Sequence, residues 1–172
     1  MPSMPLHENG SLLEDGRLVP DAWTTLDAES PLPATGPVIV PLSRLEEGLA
    51  RPHDEKLGVA LPQDAEIDTL RTALPRLSLV AVTFPIFRDG RAFSQARALR
   101  EHLHFTGEIR ATGKPLPDQY EFLLRCGVST VALPAGSDPD IWARAHTRFR
   151  TAYQPSVRGE RAEGFALRRL LG

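Results

Sequence analysis

Two rhythms of apolar and polar positions run along this chain. Short apolar, β-branched runs recur at Val38-Ile39-Val40, Leu57–Leu61, Leu77–Phe84 and Val128–Leu133. Each has the length of a strand, and the near-continuous apolarity of Leu77–Phe84 predicts one covered on both faces. Gly107–Ala111 adds a shorter strand. Between these runs the period changes to that of a helix. Ile67, Leu70 and Leu74 predict a helix over Gln63–Leu74, and Ala92, Ala96, Leu99 and Leu103 form one helical stripe. A polar–apolar segment also follows Val40 as far as Leu49. Pro117–Cys126 predicts a helix with Phe122 and Leu123 inward and Gly127 just past its end. Asp138-Pro139 predicts an N-cap followed by proline at the first helical position. The helix it opens carries Trp142, Ala145 and Phe149 on one stripe, with Arg144, Arg148 and Arg150 mostly off it.

Strands alternating with helices predict an α/β fold with a mostly parallel sheet of about five βα units. Two architectures suit that count: a flavodoxin-like three-layer sandwich, or a partial βα barrel. Both put ligand sites at the carboxyl ends of the strands. Ahead of this region, Leu12–Val19 predicts a small hairpin turning at Asp15-Gly16. The expected division is an N-terminal extension over 1–36, an α/β domain over 37–154 and an Arg-rich, loosely ordered tail over 155–172.

The 172 residues carry 20 Lys plus Arg against 22 Asp plus Glu, a net charge of −2. That balance gives no electrostatic case for nucleic acid or a membrane surface. Only Lys56 and Lys114 are lysines, so the other 18 cations are arginines, which suit bidentate grip on oxyanions. The single cysteine, Cys126, excludes a disulfide framework, a structural zinc cluster and a self-contained iron–sulfur site. No basic-then-apolar leader and no membrane-length apolar run is visible, and a cytoplasmic protein is expected.

The densest chemistry follows the central strand, in Phe84 to Ser94. Asp89-Gly90 is a turn signal, and Asp89 or Ser94 is placed to cap the next helix. Arg88 and Arg91 flank the turn, and Arg97 and Arg100 share a helix face. With Arg110 at a neighbouring strand, Arg91, Ser94, Arg97 and Arg100 make a candidate oxyanion site. Asp89 is a candidate acid/base or metal ligand. The plain alternative is that Asp89 and Ser94 cap while the arginines form a solvated face.

Other motifs are weaker. Gly107 to Lys114 fails as a P-loop, because five residues separate its glycines and Pro115 replaces Ser/Thr. No G-x-G-x-x-G is present, so no cofactor is evident, although a flavodoxin-like sheet leaves room for a flavin. His102 and His104 diverge on a helix and make no metal pair. Cys126, at a helix end, reads as a small core residue or as a redox or persulfide-carrying thiol.

The sequence from about Asp21 to Gln154 resembles a bacterial domain-of-unknown-function family labelled as an oxidoreductase of sulfite reduction. The most specific piece is Phe84 through Arg100. Supporting pieces are Asp21-Ala22-Trp23, Val38-Ile39-Val40-Pro41-Leu42, Leu57-Gly58-Val59, Gly107–Ala111, Asp118-Gln119, Arg125-Cys126-Gly127 and Tyr153-Gln154. The chain departs from that pattern at Thr112-Gly113-Lys114-Pro115 and at Ala92. The resemblance implies a place in sulfate assimilation and cysteine biosynthesis beside sulfite reductase. Six-electron sulfite reduction needs metal cofactors that one cysteine cannot hold. Two functions are therefore expected. One is an accessory protein that binds an oxyanion or the reductase through the Asp89–Arg100 loop and helix. The other is an enzyme acting on a small anionic substrate at the same place.

Overall fold

A computed structural model describes residues 12–86, 89–147 and 157. The described strands are β1 (Leu12–Glu14), β2 (Arg17–Val19), β3 (Thr24–Thr25), β4 (Val38–Pro41), β5 (Leu57–Leu61), β6 (Leu79–Phe84), β7 (Glu108–Gly113) and β8 (Thr130–Ala132). The helices are α1 (Leu45–Leu49), α2 (Arg91–Glu101), α3 (Tyr120–Arg125) and α4 (Pro139–Thr147). The strands form one sheet in the order β2-β1-β8-β7-β6-β5-β4-β3. From β3 to β8 the neighbours follow chain order and every pair is parallel. The hairpin of β1 and β2 adds to β8 in antiparallel fashion.

This order decides between the two expected architectures. A flavodoxin-like sheet reverses its strand order at one point, which sends helices to both faces. Here the order never reverses, so successive crossovers step the same way and lay their helices on one side. The core reflects this. Val40, Val59, Val82 and Ala111 pack in one cluster with Leu45 of α1, Ala96 and Leu99 of α2, Leu123 of α3 and Trp142 of α4. The opposite, concave face holds a separate small cluster of Ile39, Leu79 and Ala81. The three-layer expectation gives way to a curled half-barrel.

The chain itself requires the curl. β2 and β3 are the two edges of the sheet, with seven inter-strand gaps between them. Along the sheet that is ~34 Å at ~4.8 Å per gap. Yet only five Cα–Cα steps join Val19 to Thr24, and they reach ~18 Å at most. An arc of that length on so short a chord must bend through roughly half a circle. Residues 20–23 therefore run as a strap across the concave mouth.

Local chemistry explains most elements. Asp15 and Gly16 both adopt positive φ (45° and 76°), the conformation that a two-residue hairpin turn demands. Asp138 Oδ1 accepts the Asp140 N–H at 2.9 Å and caps α4. Gly127 takes φ 94° just past α3.

Two expectations are corrected. Gln63–Leu74 is not an α-helix; it contains a 3-10 turn at Ile67–Leu70, and a second follows at Leu74–Arg76. Pro75 has no N–H with which to carry an α-helix on past Leu74, and it sits in the first positions of the second turn instead. Phe122 does not face inward with Leu123. Tyr120, Leu123 and Leu124 take the buried face of α3, which turns Phe122, two residues from Tyr120, outward. Phe149, Arg148, Arg150 and all of the 155–172 tail except Val157 lie outside the described residues.

Candidate functional site

The carboxyl ends of β4, β5 and β6 open onto one groove of about 480 Å³. Pro41, Leu42, Pro62 and Pro85 form its largely apolar walls, and Ala60 and Thr83 of the concave face also line it. Gln63 and Asp64 line it too, on the loop after β5. That loop is held by Gln95 of α2, whose Nε2 donates to Pro62 O (2.8 Å) and Ala65 O (2.9 Å). Gln95 is itself buried, so the position of the loop is tied to the core rather than left to solvent.

Asp89 and Arg91 are joined beside this loop. Arg91 Nε donates to Asp89 Oδ1 at 3.0 Å and Nη2 donates to Oδ2 at 2.6 Å, a two-pronged pair. Asp89 Oδ1 also accepts the Arg91 backbone N–H at 3.1 Å, which satisfies one free donor at the start of α2. With its amide oriented so that donors meet acceptors, Gln63 closes the network. Its Nε2 donates to Asp89 Oδ2 at 2.7 Å, and its Oε1 accepts from Arg91 Nη2 at 2.9 Å. The hydrogen bond from the Arg91 side chain, then that from its N–H, holds the Asp89 carboxyl below its ordinary range. Asp89 is thus ionised and engaged, which suits a fixed anchor better than a proton donor.

The other expected site residues disperse. Ser94 sits exposed in the second turn of α2. Arg97 pairs with Glu101 four residues on, Nε to Oε1 at 3.0 Å. Arg100 turns inward toward the amino ends of β7 and β8. It donates to Phe105 O, Gly107 O, Gly127 O and Ser129 Oγ at 2.6 to 3.0 Å, which makes it a structural fork. Arg110 is buried on the concave face against Asp21 and Glu108. Asp89 and Arg91 therefore share one network, and Arg110 belongs to another. Arg88 lies outside the described residues.

Cys126 is buried at the end of α3. Burial is the largest influence on its thiol and pushes it up, against weaker lowering by Arg97 and Arg125. Among the described residues, no group of three or more His, Cys, Asp or Glu is placed to hold a metal ion. No described helix is long and apolar enough to cross a membrane.

Gln63 was not legible as a site residue, because its partners lie more than 20 positions on and no local period marks it. Neither was the outward Phe122, whose ring lies 4.7 Å from that of Phe93, itself 4.9 Å from the buried Phe84.

These residues fall within one recognised unit. The family model for "Bacterial protein of unknown function (DUF934)" matches residues 58–163, more than half of the chain. The chain belongs to the DUF934 family. The DUF934 match runs from the second residue of β5 through α4, with Asp89, Arg91, Arg110 and Cys126, and leaves the hairpin and strap outside it. Comparison with curated proteins gives no match.

Proposed function

We propose that this protein is an accessory component of assimilatory sulfite reduction that docks on sulfite reductase through the face around Asp89. The pathway comes from the sequence resemblance described above; the choice of docking face rests on the exposed apolar side chains of Phe122 and Ile86. The observation that carries it is Phe122. Its side chain is 48% exposed, yet it stacks through Phe93 onto the core residue Phe84. Ile86, 57% exposed, leaves the end of the same strand as Phe84. Aromatic side chains that are exposed but rigidly backed, with arginine nearby, are the usual anchors of protein interfaces.

The pairing of the arginines favours docking over capture of a free oxyanion at the Asp89–Arg100 segment. Arg91 is matched by Asp89, Arg97 by Glu101, and Arg100 by backbone carbonyls. The Arg91 and Arg97 side chains are also largely exposed (56% and 42%), where a further ion pair with a free anion is worth little.

One observation favours a second reading. The groove at the carboxyl ends of β4 to β6 is where enzymes of related architecture bind small substrates. On that reading the protein is an enzyme with the Gln63–Asp89–Arg91 network on the rim of its site.

Binding to purified sulfite reductase at low salt tests the proposal. The wild-type chain is expected to bind. Phe122→Ser and Ile86→Ser, each checked for native fold by circular dichroism, should each weaken binding by about tenfold or more. Absence of wild-type binding, or equal binding by both variants, would overturn the docking reading. Flavin absorbance in the purified protein would favour the enzyme reading instead.

A further inference from the structure

The concave face holds a second polar centre, independent of the docking reading. Arg110 of β7 is 2% exposed, an unusual position for a guanidinium. Its Nη1 donates to Asp21 Oδ2 at 2.8 Å and its Nε donates to Glu108 Oε1 at 3.0 Å. Nη2 lies 2.9 Å from the same Glu108 oxygen but at an angle that makes no hydrogen bond. Glu108 Oε1 is further shared with Thr130, which donates at 2.6 Å. A guanidinium offers five donors, so this one is buried with more donor capacity than its protein partners use.

Its surroundings suit a small ligand. Ala60 and Ala81 put short side chains in register with Arg110 across β5, β6 and β7 and make a floor beside it. The strap fills the space above this floor. Trp23 packs on Ile39, Leu79 and Ala81 while Asp21 holds Arg110. Asp21 Oδ1 also accepts the Trp23 backbone N–H at 3.0 Å, which fixes the carboxylate against the chain of the strap. The strap leads into β3, a two-residue strand at the sheet edge with few hydrogen bonds to break.

We propose that the concave face is a binding site for a small oxyanion, with Arg110 as its anchor, and that Asp21 and Trp23 occupy it until the anion displaces them. A monoanion such as acetate or hydrogen sulfite would replace Asp21 charge for charge beside Arg110 and Glu108, whereas a dianion such as sulfate would add one negative charge there. Asp21 acts as an in-chain competitor, so the affinity of the wild-type chain is reduced by the fraction of molecules whose strap is in place.

The test is calorimetric titration of the full chain with sodium sulfite, sulfate and acetate at constant ionic strength. The wild-type chain should bind at least one of these anions saturably and weakly, and the responses to the three distinguish a sulfur oxyanion from a carboxylate. Asp21→Ala should tighten that binding at least about tenfold by removing the competitor. Asp21→Ala/Arg110→Gln should abolish it. If that chain fails to fold, Asp21→Ala/Arg110→Lys keeps the charge without the fork and should lose about tenfold or more. The proposal fails if neither the wild-type nor the Asp21→Ala chain binds. It fails if Asp21→Ala binds and wild type does not, since Asp21 would then be a permanent occupant. Binding that survives loss of the Arg110 fork also overturns it.

Discussion

Replacing Arg100 tests most directly whether this arginine serves a ligand or the fold. It donates hydrogen bonds to Gly127 O, Phe105 O, Gly107 O and Ser129 Oγ. Together they tie the end of α2 to the turn before β7 and the turn before β8. A hydrogen bond from a charged donor is worth ~1.5–3 kcal/mol, less where water can take its place. The side chain is only part-buried, so about 1 kcal/mol per bond is the appropriate scale, and Arg100→Ala should cost about 3–4 kcal/mol. Arg100→Lys keeps the charge but cannot span four acceptors, and should cost about 2 kcal/mol. Urea unfolding followed by circular dichroism measures both. At a slope of ~2 kcal/mol/M, the midpoint should drop by roughly 1.5–2 M for the alanine variant with the slope unchanged. A loss below about 1 kcal/mol would refute the structural role and return Arg100 to the anion-binding candidates.

Three further outcomes are expected. Gly113 has φ 90°, and a Cβ there would lie 2.4 Å from the Phe84 carbonyl oxygen, so Gly113→Ala should destabilise by ~3 kcal/mol or more in the same assay. Tyr120 Oη accepts the Gly16 N–H at 2.8 Å and fastens the hairpin turn to α3; Tyr120→Phe should cost ~1 kcal/mol, read from the same urea midpoints. Burial raises the Cys126 thiol above its ordinary 9.0, so the folded state keeps that proton longer than the unfolded state. Stability should therefore fall as pH rises above about 9, and a Cys126→Ala chain should show a shallower fall across that range.

Wherever the governing interactions are short-range, the sequence was a good guide. Asp15-Gly16 announced its turn, Asp138-Pro139 its cap, and the Ala92-Ala96-Leu99 stripe its buried face. Strand order was beyond reach of any local period, and it alone separates a sandwich from a half-barrel. The roles of the arginines were equally hidden. Arg97 and Arg100 share a spacing and a helix, yet one meets Glu101 in solvent and the other meets carbonyls of turns that follow. Arg110 finds Asp21 at a separation of 89 residues, a contact that exists only because the strap crosses the mouth of the sheet.

The pairing of β1 with β8 also sets an order of events during synthesis. Leu12 aligns with Ala132, so the hairpin is made roughly 120 residues before its partner strand. At ribosomal speeds of ~5–20 residues per second, that is a wait on the order of 10 s. Until then β1 has no sheet to join, and the strap behind it has no closed mouth to span. The long loop must close against its entropy before the pairing returns anything, which makes this a late and slow step. A chain stopped before β8 would leave the hairpin stranded and the arc without its second anchor.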